Sequence, residues 1–384
     1  MKTTRRGFVK SVGLGTAAAG VLAGTSLLSS TASAQTRKAI ASGVYDNGVM
    51  QLNQNESARG PGPRTMEAIH NTISKRVGRG YAPDHVNELR DVLASYYGVE
   101  TNQVQLATGS TPILQGAAKA FTGPGKHLAT AAPTYSTSEP AARSVGAEVR
   151  HVVLDSKGYI DLDGMAEAAK GAGLLYVCNP NNPSGTVHGP QAIENLVRKV
   201  RRDSPDTMIH IDEAYINYAD PAKMKTALPL MKEFENVFIS RSFSKAHGMA
   251  GLRVGYALGH ANTLQKIRAA WGMGDVNMIG AIAAITAFED TDHLEWERQE
   301  NAEIRSFVVG AFNDMGYEVP ESHTNHIFVN LRMPAAKFRE ACLEQNVLVG
   351  RDFPPMQNTH CRISIGSREE MHKAVEVFRK VLKG

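Results

Sequence analysis

The stretch MIHIDEAYINYADPAKMKTALPLMKEFENVFISRSFSK, residues 208–245, holds two short apolar runs that each stop at chemically loaded residues. Met208-Ile209-His210-Ile211 stops at Asp212-Glu213-Ala214-Tyr215. Val237-Phe238-Ile239 stops at Ser240-Arg241-Ser242-Phe243-Ser244-Lys245. Residues 229–234 read as a helix between them. Strand, helix and strand in that order are the repeating unit of a parallel sheet.

The same alternation extends outward on both sides. Further strands are read at 103–107, 127–131, 148–153, 174–178 and 253–258, with helices between them such as 112–121 and 190–201. The fold class is therefore α/β, a mostly parallel seven-stranded sheet covered on both faces. Ligands in such folds collect at the carboxyl ends of the strands. From about residue 262 the texture turns helical (262–270, 278–287, 292–315). A smaller α+β unit follows, with strands at 326–330 and 361–365 and helices at 335–345 and 368–382. Residues 35–78 are read as joining that smaller unit, 79–290 as the large domain and 291–384 as the small one.

The chain has 384 residues, 42% hydrophobic and 21% charged, which is ordinary globular composition. Its formal charge of +4 comes from the N-terminus: residues 1–34 carry Lys2, Arg5, Arg6 and Lys10 and no acid. Removing those four of 42 bases leaves 38 against 38 acids. A body without excess basic charge argues against a nucleic-acid partner. Arg5-Arg6-Gly7-Phe8-Val9-Lys10 is similar to a twin-arginine export signal, followed by a weakly apolar stretch and an Ala32-Ser33-Ala34 cleavage site. The expectation is export to the periplasm through that machinery. Cys178, Cys342 and Cys361 are an odd set at irregular spacing, and no HExxH or CxxC occurs, so neither a disulfide framework nor a metal site is read.

A third strand, residues 174–178, stops at Asn179-Pro180-Asn181-Asn182-Pro183-Ser184-Gly185-Thr186. Singly, an Asp after a strand is a cap, a lysine is a solvated charge and a Pro/Gly/Asn run is a turn. Jointly, SFSKAHGMAGLRVGY (242–256), NPNNPSGT (179–186) and IDEAYINY (211–218) resemble the fold-type I aminotransferases of class I/II, dependent on pyridoxal 5′-phosphate (PLP). The likeness is greatest to the histidinol-phosphate aminotransferase branch, and it runs from about Leu52 to Arg379.

The resemblance implies a role for each residue. Lys245 matches the lysine that holds PLP as a Schiff base and then moves the substrate proton. Asp212 matches the acid facing the pyridine nitrogen. Tyr215 and Asn182 match the pair that hydrogen-bonds the ring's phenolic oxygen, and Tyr135 the aromatic that stacks on the ring. Thr108-Gly109-Ser110-Thr111-Pro112 precedes a helix, where backbone N–H groups attract an anion, so Gly109, Ser110 and Thr111 are read as phosphate donors. Ser242, Ser244 and Arg253 match further phosphate contacts. Tyr81 matches a tyrosine that reaches the partner subunit's phosphate, which implies a homodimer with shared active sites.

At the substrate end, Arg362 matches the arginine that grips a carboxylate in most of the family and a phosphate in this branch. Arg351 either adds to that charge or forms a surface or dimer ion pair. Asn53, Asn55 and Glu56 fall in the segment that covers the substrate, or serve as turn and cap residues. Two features depart from the pattern. His247 stands where the family has an apolar residue, as a core histidine or as an extra titratable group. The tyrosine expected upstream of Leu52-Asn53 is also not at its spacing, since Tyr45 is too close. With the export signal, that points away from histidinol phosphate as substrate. The expected activity is amino transfer from an amino acid or related amine to a 2-oxo acid, the alternative being an amino-acid oxidase or decarboxylase on the same fold.

Overall fold

A computed structural model of the chain describes residues 48–73 and 84–383. The leader at 1–34, Tyr45 and Tyr81 lie outside the described residues. Contacts join Met50 and everything after it into one unit, beginning with strand β1 (Met50–Leu52) and helices α1 (Pro63–Thr72) and α2 (Asp84–Tyr97). There follow β2 (Val104–Ala107), α3 (Thr111–Phe121), β3 (Leu128–Ala132), α4 (Ser138–Ser144), β4 (Val149–Val153), α5 (Leu162–Ala168) and β5 (Leu174–Cys178). The chain continues through α6 (Pro190–Asp203), β6 (Met208–Asp212), α7 (Leu228–Glu233), β7 (Val237–Ser242) and β8 (Gly255–Leu258).

Strands β2 to β8 make one seven-stranded sheet in the order β2-β8-β7-β6-β5-β3-β4. Strand β8 is antiparallel to both its neighbours, and the other pairs are parallel. Helices on both faces explain why β5, Leu-Leu-Tyr-Val-Cys, is buried along its whole length rather than alternating. Edge strand β4 instead carries the exposed Arg150, a charge that blunts pairing at an open edge. Helix α6 shows the usual amphipathic logic. Pro190 sits in its first turn, and Ile193, Leu196, Val197 and Val200 form one buried stripe.

The rest of the chain is α8 (Ala261–Ala270), α9 (Met278–Glu289), α10 (Thr291–Asp314), β9 (His326–Asn330), α11 (Ala335–Leu343), β10 (Val347–Val349), β11 (His360–Ser364) and α12 (Arg368–Lys383). Here a second hydrophobic core gathers Ile304, Val308 and Phe312 of α10 with Phe338, Ile363 and Phe378. Each such fully buried side chain contributes roughly 1.5–3 kcal/mol. Strand β1 pairs in parallel with β10 and sends Leu52 into this core. Of residues 35–78, then, β1 belongs with the C-terminal elements, whereas α1 packs on α9 beside the large sheet. Strands β9 and β11 pair antiparallel, with His326 opposite Ser364 and Phe328 opposite Arg362.

Candidate active site

The parallel register brings Cys178, Asp212 and Ser240 side by side at the carboxyl ends of β5, β6 and β7. Asp212 is 2% exposed. It accepts hydrogen bonds from Tyr176 Oη at 2.9 Å and Ser240 Oγ at 2.9 Å. Ser240 in turn lies 2.8 Å from His210 Nε2, whose ring burial holds neutral with a pKa of about 3. Burial outweighs the donors and raises the Asp212 carboxyl to about 6. A buried carboxylate poised in this way is suited to a protonated ring nitrogen.

Lys245 follows the end of β7. Its amine donates to the carbonyls of Asn55 at 3.0 Å and Gln54 at 3.4 Å and stands 5.6 Å from the centre of the Tyr215 ring. Burial, with the nearby charges of Arg362 and Arg253, lowers its pKa to about 8. More free amine is therefore present near neutral pH than an ordinary lysine would offer, as suits a nucleophile. The Tyr215 oxygen accepts from Asn55 Nδ2 at 2.9 Å and Asn182 Nδ2 at 3.4 Å. Arg362 donates to Asn182 Oδ1 at 2.9 Å and to the Asn53 carbonyl. Phe353 lies between two cations, 4.9 Å from the Arg362 guanidinium and 4.4 Å from that of Arg351.

The start of α3 forms a cradle at the other end. Ser110 is its N-cap, yet the Ser110 side chain makes no capping bond. Pro112 lacks an N–H and the Ile113 N–H is bonded to the Ser110 carbonyl at 3.0 Å, so the Ser110 hydroxyl and the Thr111 amide are what this helix start offers an anion. Two glycines keep the backbone close. Gly109 has φ +82°, and a Cβ there would sit 2.4 Å from Arg253 Nη2; one on Gly255 would meet Gly109 C at 2.5 Å. Arg253 itself adopts φ 57°, a left-handed conformation costing on the order of 1 kcal/mol. Its guanidinium is tethered to the carbonyls of Ala250 at 2.8 Å and Thr108 at 3.4 Å.

These groups surround one cleft of about 340 Å³. Lys245, Asp212, Tyr215, Asn182, Tyr135, Ser110, Thr111, Ser242, Ser244, Arg253, Arg351 and Arg362 all line it. Gly109 stands behind the wall, shaping the cradle with its backbone. Asn55 lines the cleft, but its side chain is committed to Tyr215, Ser364 and His326 instead of open space. Of its two readings, the Arg351 guanidinium follows the cleft, stacked on Phe353. His247 does not line it: the ring is buried against Phe243, bonded to Asn217 Nδ2 at 3.0 Å, and held neutral by burial with a pKa of about 4. It is a core histidine, not an extra titratable group in the cleft.

Sequence reasoning missed Cys178 at the cleft floor, Tyr176 and Ser240 on Asp212, and Phe353 between the arginines. Ser240 was detectable, since a hydroxyl one strand over from an acid in register must reach it. Nothing in the sequence marks Phe353. The PLP that the resemblance implies fits the residues present. The Ser110 hydroxyl, the start of α3 at Thr111 and the Arg253 guanidinium suit its phosphate, Asp212 its ring nitrogen, and the lowered Lys245 amine its aldehyde.

The sequence profile of the family described as "Aminotransferase class I and II" matches residues 47–378. A histidinol-phosphate aminotransferase from Limosilactobacillus fermentum is 32% identical over 325 residues, covering 83% of this chain and 87% of that one. Its counterpart from Symbiobacterium thermophilum is 31% identical over 342 residues, 88% of this chain and 92% of the other. The solved histidinol-phosphate aminotransferase from Sinorhizobium meliloti, in complex with pyridoxal-5′-phosphate, superposes with a TM-score of 0.76 at 26% identity, covering 90% of this chain and 93% of that structure. With the lysine, the acid, the tyrosine and the anion cradle converging on one cleft, the chain belongs to the class I and II aminotransferases.

Proposed function

We propose that this PLP-dependent aminotransferase is exported by the twin-arginine route and acts as a homodimer on a donor with an anionic group gripped by Arg362 and Arg351. PLP supplies an electron sink at the substrate α-carbon, and the remaining work falls to the chain. Lys245 attaches the cofactor and shuttles the proton. Asp212 keeps the ring nitrogen protonated, Tyr215 donates to the ring oxygen, and the α3 cradle with Ser242, Ser244 and Arg253 anchors the phosphate. The amino group passes to a 2-oxo acid, which closes the cycle.

The observation that carries this reading is the pairing of Arg362 with Asn182 beside the Tyr215 hydroxyl. It sets a fixed cation for the substrate's anion next to the group that tunes the cofactor. The test is a single-turnover assay of the mature, PLP-loaded chain against a panel of amino acids and histidinol phosphate, with dissolved oxygen followed alongside the visible spectrum. Conversion of the cofactor to its amine form by an anionic donor, without oxygen uptake and reversed by a 2-oxo acid, is the expected result. Oxygen consumption with every donor would refute it. Cell fractionation with Arg5 and Arg6 both replaced by Lys tests the address: the wild type reaches the periplasm and the variant stays inside.

A further inference from the structure

The Tyr215 hydroxyl is oriented by groups more than a hundred residues away, and their donors and acceptors can be counted. Ser364 Oγ accepts from the Asn55 backbone N–H at 2.9 Å and donates to Asn55 Oδ1 at 2.8 Å, which sets the Asn55 amide with its oxygen toward Ser364. Nδ2 then has two protons for two neighbours at 2.9 Å, the Tyr215 oxygen and His326 Nδ1. In this arrangement Nδ1 accepts, as the unprotonated nitrogen of a neutral ring with its proton on Nε2. The Tyr215 oxygen accepts from Asn55 and Asn182, so its own proton is left to donate into the cleft.

Three further features hold His326 in that state. It sits on β9 directly opposite Ser364 on β11, so one rung of the ladder presents both partners of Asn55. It is fully buried, with its ring edge against Tyr215 at 5.2 Å between centres. Burial, then the cations of Arg362 and Lys245, keep it from taking a second proton.

We infer that His326 is a positioning residue: as the acceptor for Asn55 it turns the Tyr215 hydroxyl into a fixed donor toward the cofactor ring. This rests on the role given to Tyr215 above. A protonated or Nδ1–H ring would put two donors face to face at Asn55 and release the tyrosine.

The test combines kinetics with ¹⁵N-histidine NMR on the wild-type chain free of cofactor. His326 is expected as the Nε2–H tautomer at pH 7, and an Nδ1–H or doubly protonated ring overturns the inference without any variant. His326→Phe should lower kcat roughly tenfold with little change in KM, the scale of one lost buried hydrogen bond and its coupling. His326→Asn, whose Oδ1 takes the place of Nδ1, should restore most of that loss. Equal losses in the Phe and Asn variants would mean the ring matters only as packing, which overturns the proposal. Tyr215→Phe separates the two levels. If it turns over like wild type, the role of Tyr215 has failed. If it is impaired while His326→Phe is not, only the His326 inference has failed.

Discussion

Arg362 holds the amide of Asn182 by its oxygen, at 2.9 Å, so that the amide nitrogen faces the Tyr215 hydroxyl. The substrate cation and the cofactor-tuning pair are thus one hydrogen-bonded unit. Arg362→Gln should cost more than ground-state binding. We expect kcat/KM for an anionic donor to fall roughly a hundredfold or more, with kcat falling as well as KM rising, because a buried charge-assisted contact is lost. Steady-state kinetics across donor concentration checks this, and an effect confined to KM would separate Arg362 from Asn182.

Lys245 carries a lowered pKa of about 8. Its amine is largely protonated below that value and free above it. The rate at which the cofactor-free chain takes up added PLP covalently should therefore rise with pH and level off above about 8. Stopped-flow absorbance measures it. Lys245→Ala should abolish both covalent uptake and turnover while the far-UV circular dichroism is retained.

Asp212 titrates in the opposite sense to an ordinary salt-bridged acid. Burial lifts its folded value to about 6, well above that of an ordinary aspartate. Between those values the folded chain binds more protons than the unfolded one, so in the absence of cofactor this group makes the fold lose stability as pH rises through that window. Asp212→Asn should remove that component. Its melting temperature, subtracted from the wild-type value at each pH, should show the difference growing in the variant's favour from pH 4 to 7. Once loaded with PLP, the same variant should lose about two orders of magnitude in kcat.

Gly255→Ala would drive a methyl group into the Gly109 carbonyl carbon at 2.5 Å and so push the α3 cradle open. The expected result is PLP affinity weakened at least tenfold, read by fluorescence titration of the cofactor-free chain. Phosphate-free pyridoxal should be affected much less, because the damage is confined to the anion cradle.

The strand ends were readable because the chemistry sits where apolar runs stop. In β5, β6 and β7 the last residues are Cys178, Asp212 and Ser242, within or beside the quoted motifs. Helix α6 and the long α10 were readable from periodicity. The supports of Asn55 were not. Ser364 is 309 residues away and His326 is 271, and each sits in a strand that reads as ordinary core. Strands β1 and β10, three residues each, carry too little pattern to stand out in sequence and exist because they pair with each other. Only the folded chain shows that Asn55 serves the tyrosine.

The β1–β10 pairing also sets an order of events during synthesis. Met50 is in register with Val347 and Leu52 with Val349, so β1 cannot form this ladder until most of the chain has left the ribosome. The large sheet, which closes by residue 258, can assemble while β1 still waits. The pairing of β1 thus joins the first described strand to one of the last. A chain cut short before residue 347 would keep its seven-stranded sheet yet lack the β10 side of this ladder, which makes the seating of β1 a report on whether the second core has been completed.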